Sequence, residues 1–233
     1  MAIRLQRPAS LVVGLALLLS AGGAYAQGTF QNLDFESATI VPDPSSPFYP
    51  NAVIASSALP GWTAYIYGFP ETSILYHTRV LSTANVTLFD PNDVGDPTPL
   101  EGLYSVGLMG QVPGTSPSQS AAIAQTGQVP DAARALTFFA QIGGLQITFN
   151  GQLIPYTGIG SGPNYTIWGC DVSAFAGQTG ELRFTTLPNT SALIDNIQFS
   201  DQSVPEPGVF GVSALGALLV GWRFLWRRRC QRN

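Results

Sequence analysis

Lysine is absent from this 233-residue chain, and all ten of its basic residues are arginines. Seven of the arginines lie within the first seven or the last eleven residues. The stretch between them, residues 27–203, carries three arginines and thirteen acidic residues, which gives a formal net charge of −10. Such a surface repels polyanions, so it argues against nucleic acid and anionic membrane surfaces as partners. It remains compatible with divalent cations.

Cysteine and histidine are nearly absent as well. Cys170 is the one cysteine of residues 27–203, so no internal disulfide can form there and we expect a small buried apolar side chain. A zinc site needs several His or Cys ligands. His77, the single histidine, has no accompanying G-x-S-x-G motif for a Ser–His relay. We therefore expect no enzymatic activity. The alternative is glycoside hydrolysis by a pair of carboxylates, for which the thirteen acidic residues leave many combinations.

Both ends of the chain are apolar runs flanked by arginine. Arg4 and Arg7 precede an apolar run over 11–19 and the small-residue sequence Ala24-Tyr25-Ala26. This pattern predicts a signal peptide, residues 1–26, removed by signal peptidase.

The C-terminal run, residues 208–226, contains a single charge. Nineteen helical residues span roughly 28 Å, enough to cross a hydrocarbon core of about 30 Å. The basic stop comprises Arg223, near the end of the apolar run, and Arg227, Arg228 and Arg229 in a tail over 227–233. Because basic flanks stay in the cytoplasm, we expect residues 27–203 outside the cytoplasmic membrane.

The sequence Val204-Pro205-Glu206-Pro207 immediately precedes that apolar run. Its two prolines favour an extended segment that a membrane peptidase can bind as a strand. The motif, one helix and an arginine tail (204–233) together resemble the PEP-CTERM sorting signal of Gram-negative bacteria. The resemblance implies recognition by exosortase, transient anchoring in the membrane, and release to the cell surface or an exopolysaccharide matrix. A plain, permanent C-terminal anchor is the alternative.

Residues 27–203 have the length of one domain, and short alternating runs between turn residues predict an all-β fold. The predicted strands are 32–36, 61–67, 73–81, 86–89, 104–109, 145–149, 181–185 and 193–199. Asn150-Gly151 is the strongest hairpin signal. We expect a two-sheet sandwich of the jelly-roll kind.

Several segments resemble galactose-binding-like sandwiches, a fold shared with carbohydrate-binding modules. They are NLDFE (32–36), LPGW (59–62), EGLYSVGL (101–108), AAIAQTGQVP (121–130), DVSAFAGQTGELRF (171–184) and ALIDNIQF (192–199). The resemblance implies a sandwich and often a structural calcium ion, but no particular ligand.

One acidic residue falls at a position that alternation assigns to the core. In LIDNIQF, a regular strand places Asp195 on the face of Leu193, Ile197 and Phe199. A buried carboxylate needs a partner, and the candidates are Arg183, backbone donors or calcium. In calcium-bearing relatives the acids of the first and last strands meet, and the corresponding residues here are Glu36 and Asp195.

Aromatic side chains supply the candidates for glycan stacking. Trp62 and Tyr65 lie in one predicted strand, and Trp168 follows a glycine-rich loop. Most aromatic side chains of sandwiches belong to the core instead. The sequence therefore predicts an exported surface or matrix protein whose sandwich is structural or associates with polysaccharide; a secreted glycan hydrolase on the same scaffold is the alternative.

Overall fold

The computed structural model describes residues 28–46, 51–78, 83–92, 98–110 and 120–204. The predicted signal peptide, Pro205 to Pro207, the predicted membrane helix and the basic tail lie outside these residues. In the described ranges, no helix is long and apolar enough to cross a membrane.

Two facing sheets enclose one hydrophobic core, which confirms the predicted two-sheet β-sandwich. The finer jelly-roll, galactose-binding-like assignment stays a prediction. The larger sheet has eight strands and the smaller one six.

The strands of the eight-stranded sheet are β1 Ala52–Ile54, β4 Ser73–Tyr76, β5 Asn85–Phe89, β6 Ser105–Met109, β8 Ala135–Ile142, β11 Tyr156–Ser161, β12 Thr166–Asp171 and β14 Ser191–Ser200. Those of the six-stranded sheet are β2 Thr63–Ile66, β3 Phe69–Glu71, β7 Ala121–Gln128, β9 Leu145–Phe149, β10 Gln152–Leu153 and β13 Thr179–Thr186. A short helix, α1 (Ala55–Ala58), and a 3-10 turn over Ser173–Phe175 complete the regular structure of the described residues. The larger sheet has the order β1-β4-β5-β6-β14-β8-β12-β11, and the smaller one β10-β9-β13-β7-β2-β3. Neighbouring strands are antiparallel except β4 and β5, which are parallel.

Alternation along the strands builds the core. In β9, Leu145, Ile147 and Phe149 are buried while the residues between them are more exposed. The turn that follows has Asn150 at φ 49° and Gly151 at φ 77°, and it pairs Gln152 with Phe149. Two left-handed residues are what a two-residue hairpin turn requires. The predicted hairpin is confirmed.

The first predicted strand is wrong. Residues 32–36 form turns, with Asn32 at φ 50° and Phe35 at φ 60°. Leu33 and Phe35 are nevertheless fully buried. The alternation therefore identified two core side chains correctly, but consecutive turns rather than a strand place them in the core.

The predicted face of Asp195 is also wrong. A β-bulge shifts the register of β14 against β8 between Asp195 and Gln198, and Asn196 adopts φ 44°. Ile197 donates its N–H to Leu33 O at 2.9 Å and, with Phe199, packs in the core. Because the bulge adds a residue, Asp195 lies on the outer face of the sheet with Leu193.

Candidate functional site

The outer face of the eight-stranded sheet carries a small apolar cluster of its own. Its buried members are Phe89 of β5, Leu193 of β14 and Leu100 of the segment before β6. Phe139 and Tyr165 pack against it, with their rings stacked at 4.3 Å. The outer face of the six-stranded sheet differs, because there Arg183 binds Glu181 and lies over the Tyr65 ring.

One glycine of β6, Gly107, determines how the Phe89 ring packs on this face. Gly107 lies in the middle of β6, opposite Thr87 of β5 and Leu193 of β14. A Cβ atom at this position would lie 2.5 Å from Cε2 of Phe89. The missing side chain therefore lets the Phe89 ring lie across the strand.

Beside the cluster lies a groove of about 180 Å³ formed by β5, β6, β14 and the end of β8. Phe89 and Leu193 give it an apolar wall, and Gln141 and Ser191 are exposed at its rim. Its lining residues are Asn85, Thr87, Phe89, Gly107, Leu108, Met109, Gln141, Ile142, Gly143, Ser191, Ala192 and Leu193. Among these described residues, none has an ionisable side chain.

Hydrogen bonds hold the loop that contributes Leu100. The Leu100 N–H donates to Ser105 Oγ at 2.8 Å, and the Ser105 hydroxyl donates to Asp195 Oδ2 at 2.6 Å. The Glu101 N–H also donates to Asp195 Oδ2, at 3.0 Å, and the Asn196 N–H to Oδ1 at 2.7 Å. Asp195, which is 1% exposed, thus positions the loop.

Glu36 binds the same loop from the N-terminal segment. Its Oε1 accepts the Leu103 N–H at 2.8 Å and the Tyr104 N–H at 3.0 Å. Gly102 immediately precedes these two residues at φ 60°, and a Cβ there would be 2.3 Å from Glu36 Oε1. Both predicted carboxylates therefore converge on residues 101–104, which the sequence did not reveal as their partner.

Burial raises the pKa of Asp195 to about 7. The hydrogen bonds from Ser105, Glu101 and Asn196 act in the opposite direction, and the negative charge of Glu36 adds to the rise. The carboxyl is thus held in a place where its ionisation is costly and its oxygen atoms are already bound.

Of the three candidate partners for Asp195, the structure shows the backbone donors. Arg183 instead binds Glu181 through Nε at 2.8 Å. Calcium needs oxygen ligands, whereas N–H groups point at the carboxylate oxygens here. Within the described residues, no group of three His, Cys, Asp or Glu is placed to hold a metal. The arrangement fits hydrogen bonding rather than cation ligation, and structural calcium stays a prediction.

The three predicted stacking residues do not share a surface. Trp62 is 5% exposed, donates Nε1–H to Asn32 O at 3.0 Å and packs near Phe35 and Phe184, so its ring is not open to a ligand. Tyr65 is half-buried under the Arg183 guanidinium at 4.0 Å. Trp168 is half-buried edge-on to Tyr156.

His77 and Asp90 are joined by a contact that sequence alone could not show. His77 Nε2 lies 2.7 Å from Asp90 Oδ1, joining the end of β4 to the end of β5. Burial alone would raise the pKa of Asp90, but the Tyr76 and Asn92 hydrogen bonds and His77 outweigh it and lower the pKa.

Cys170 is buried, as predicted, and burial raises its thiol pKa to about 12.

No family profile and no curated protein sequence matches the chain. Among solved structures, the enzymatically active domain of bacteriophage CBA120 tailspike protein 4 is 18% identical over 60% of this chain, with a TM-score of 0.33; the match spans 19% of that chain.

Two carbohydrate-binding modules are also similar. TmCBM61, solved with β-1,4-galactotriose, is 12% identical over 75% of this chain and 98% of its own, with a TM-score of 0.36. The family 11 module from Clostridium thermocellum, solved with a β-1,3-1,4-mixed-linked tetrasaccharide, is 12% identical over 63% of this chain and 92% of its own, with a TM-score of 0.34. Likenesses this weak assign no function.

Proposed function

We propose that this chain is an exported surface or matrix protein whose sandwich associates with neutral polysaccharide through the groove of the eight-stranded sheet. The observation that carries the proposal is the groove lining: its described residues include no ionisable side chain, although residues 27–203 carry a net charge of −10. Apolar walls beside amide and hydroxyl groups suit the apolar faces and hydroxyls of a sugar ring.

The volume of the groove and the net charge of residues 27–203 limit the class of glycan that can bind. A volume of about 180 Å³ is below the roughly 300–1,000 Å³ typical of small-molecule pockets. The groove therefore suits a short stretch of a longer chain. The net charge of −10 over residues 27–203 repels acidic polysaccharides unless a divalent cation screens them. One shallow site of this kind supports an affinity near millimolar, about −4 kcal/mol.

Affinity electrophoresis tests this proposal. Residues 27–203 are run through gels containing neutral polysaccharides and, in parallel, acidic ones with and without calcium. The proposal expects retardation by at least one neutral polysaccharide, and by acidic ones only when calcium is present. Unretarded migration in every gel would leave a purely structural role.

The proposal includes delivery by the PEP-CTERM route. Val204 is the last described residue, so the motif, the helix and the arginine tail support this part through sequence alone. Signal peptidase, exosortase and the membrane are the partners it requires, and the cell surface or matrix of a Gram-negative bacterium is the destination.

A further inference from the structure

A second cavity, of about 540 Å³, lies at the open edge of the sandwich. Ile66 of the six-stranded sheet and Ile74 and Val86 of the eight-stranded sheet form apolar walls. Asp43 and Tyr67 stand among its polar lining residues. The volume falls within the roughly 300–1,000 Å³ typical of ligand pockets.

Glu71 brings a carboxylate to this cavity. It lies in β3 opposite Ala64, a core residue, so its side chain shares the face that turns toward the sandwich interior. The side chain is half-buried, and burial raises its pKa. Within the described residues its carboxylate has no hydrogen-bond partner. A desolvated carboxylate without a partner has free energy to gain from a cationic ligand.

The other side chains that line the cavity also favour a positively charged ligand. Asp43 adds a second carboxylate, which is already bound by the Ser45 and Ser73 hydroxyls. Among the described residues that line the cavity, none is basic. Tyr67 is 43% exposed, and its hydroxyl lies 3.0 Å from Thr83 Oγ1. An exposed ring that lines the same cavity as a carboxylate is a favourable setting for an organic cation.

We propose that this cavity binds a primary ammonium group, carried by an amino-sugar unit of a glycan, with Glu71 as its counter-ion. Calcium takes six to eight oxygen ligands gathered around one point, and within the described residues no group of three His, Cys, Asp or Glu is placed to hold a metal. Hydroxyls of Ser46, Thr72 and Thr83 line the cavity and suit a sugar rather than an alkyl amine. The inference rests on the proposed glycan association but uses a different cavity, which shares only Asn85 with the groove.

The test is calorimetric titration of the full chain in non-ionic detergent with a glucosamine tetramer, at a pH where its amines are protonated. The N-acetylated tetramer, which has the same ring and no charge, is the matched ligand. Glu71→Gln is the test variant, and a melting curve is recorded to check that it is folded. Asp131→Asn removes an exposed carboxylate elsewhere and is the control for net charge.

We expect the glucosamine tetramer to bind at least tenfold more tightly than its N-acetylated form. Glu71→Gln should abolish that difference and Asp131→Asn should keep it. Equal binding of both tetramers, or equal loss in both variants, overturns it. So does Glu71-dependent binding of spermidine as tight as that of the tetramer. A chain that binds neutral glycan in the groove but fails these tests leaves the proposed function intact.

Discussion

Asp195 combines a buried carboxyl with a pKa raised by that burial to about 7. The folded state therefore binds the proton more tightly than the unfolded chain, where the pKa is near 3.8. This contribution to stability is fully present below the unfolded pKa and is lost as the pH rises through about 7. We predict that the free energy of unfolding falls between pH 4.5 and 7.5, as measured by denaturant titration.

The control is Asp195→Asn, which cannot titrate. Its amide leaves one N–H donor without an acceptor, so its stability should be lower by about 1–3 kcal/mol. Its pH slope over the same window should be flat. A variant that keeps the slope of the parent chain would assign the effect to another group.

Calcium is the remaining question about Glu36 and Asp195. If the two carboxylates share an ion, calcium at about 100-fold its Kd stabilises the fold by roughly 2.7 kcal/mol. The hydrogen bonds of the loop instead predict the same melting temperature with and without a chelator. A chelator-induced fall in melting temperature that Asp195→Asn abolishes would show that the ion is bound.

At the scale of strands, Gly107 controls the groove. Because a Cβ atom there would lie 2.5 Å from the Phe89 ring, Gly107→Ala must displace that ring. We predict a loss of about 1–3 kcal/mol in stability and weaker glycan binding. Gly158→Ala in β11 is the matched control, since its Cβ has no neighbour closer than 3.5 Å. Equal effects of the two variants in denaturant titrations would contradict this role of Gly107.

How well the strands could be predicted depended on their pattern of side chains. β9 and β13 alternate between buried and more exposed residues, and their positions follow from that alternation. β7 reads AAIAQTGQ, with its first five residues all buried, so it offers no alternation. β14 alternates but contains a bulge, and a bulge at Asn196 depends on the N-terminal segment that packs beside it.

The candidate site, like the strands, could be predicted from the sequence only in part. Sequence identified Glu36 and Asp195 but not the backbone N–H groups of residues 101–104 that bind them. It placed glycan stacking on Trp62, whose large apolar ring is buried in the core instead. The groove joins Asn85, Gln141 and Ser191, which are distant in the chain and carry no motif.

At the scale of the whole molecule, the sequence Val204-Pro205-Glu206-Pro207 next to the apolar run predicts cleavage near Glu206 in a host with exosortase. The intact mass of the protein extracted from the cell surface measures this directly. The mass should end near Glu206 and lack the arginine tail. Recovery of the chain through Asn233 from such a host would indicate a permanent anchor.

The central claim is that the groove of the eight-stranded sheet holds neutral polysaccharide. Its most direct test compares the retardation of two double variants in one neutral-glycan gel. Gln141→Ala with Ser191→Ala removes the polar rim of the groove, whereas Gln146→Ala with Thr148→Ala makes similar changes on the outer face of the other sheet. We predict that the first pair loses retardation and the second migrates like the parent chain. Equal retardation of both pairs would contradict the claim.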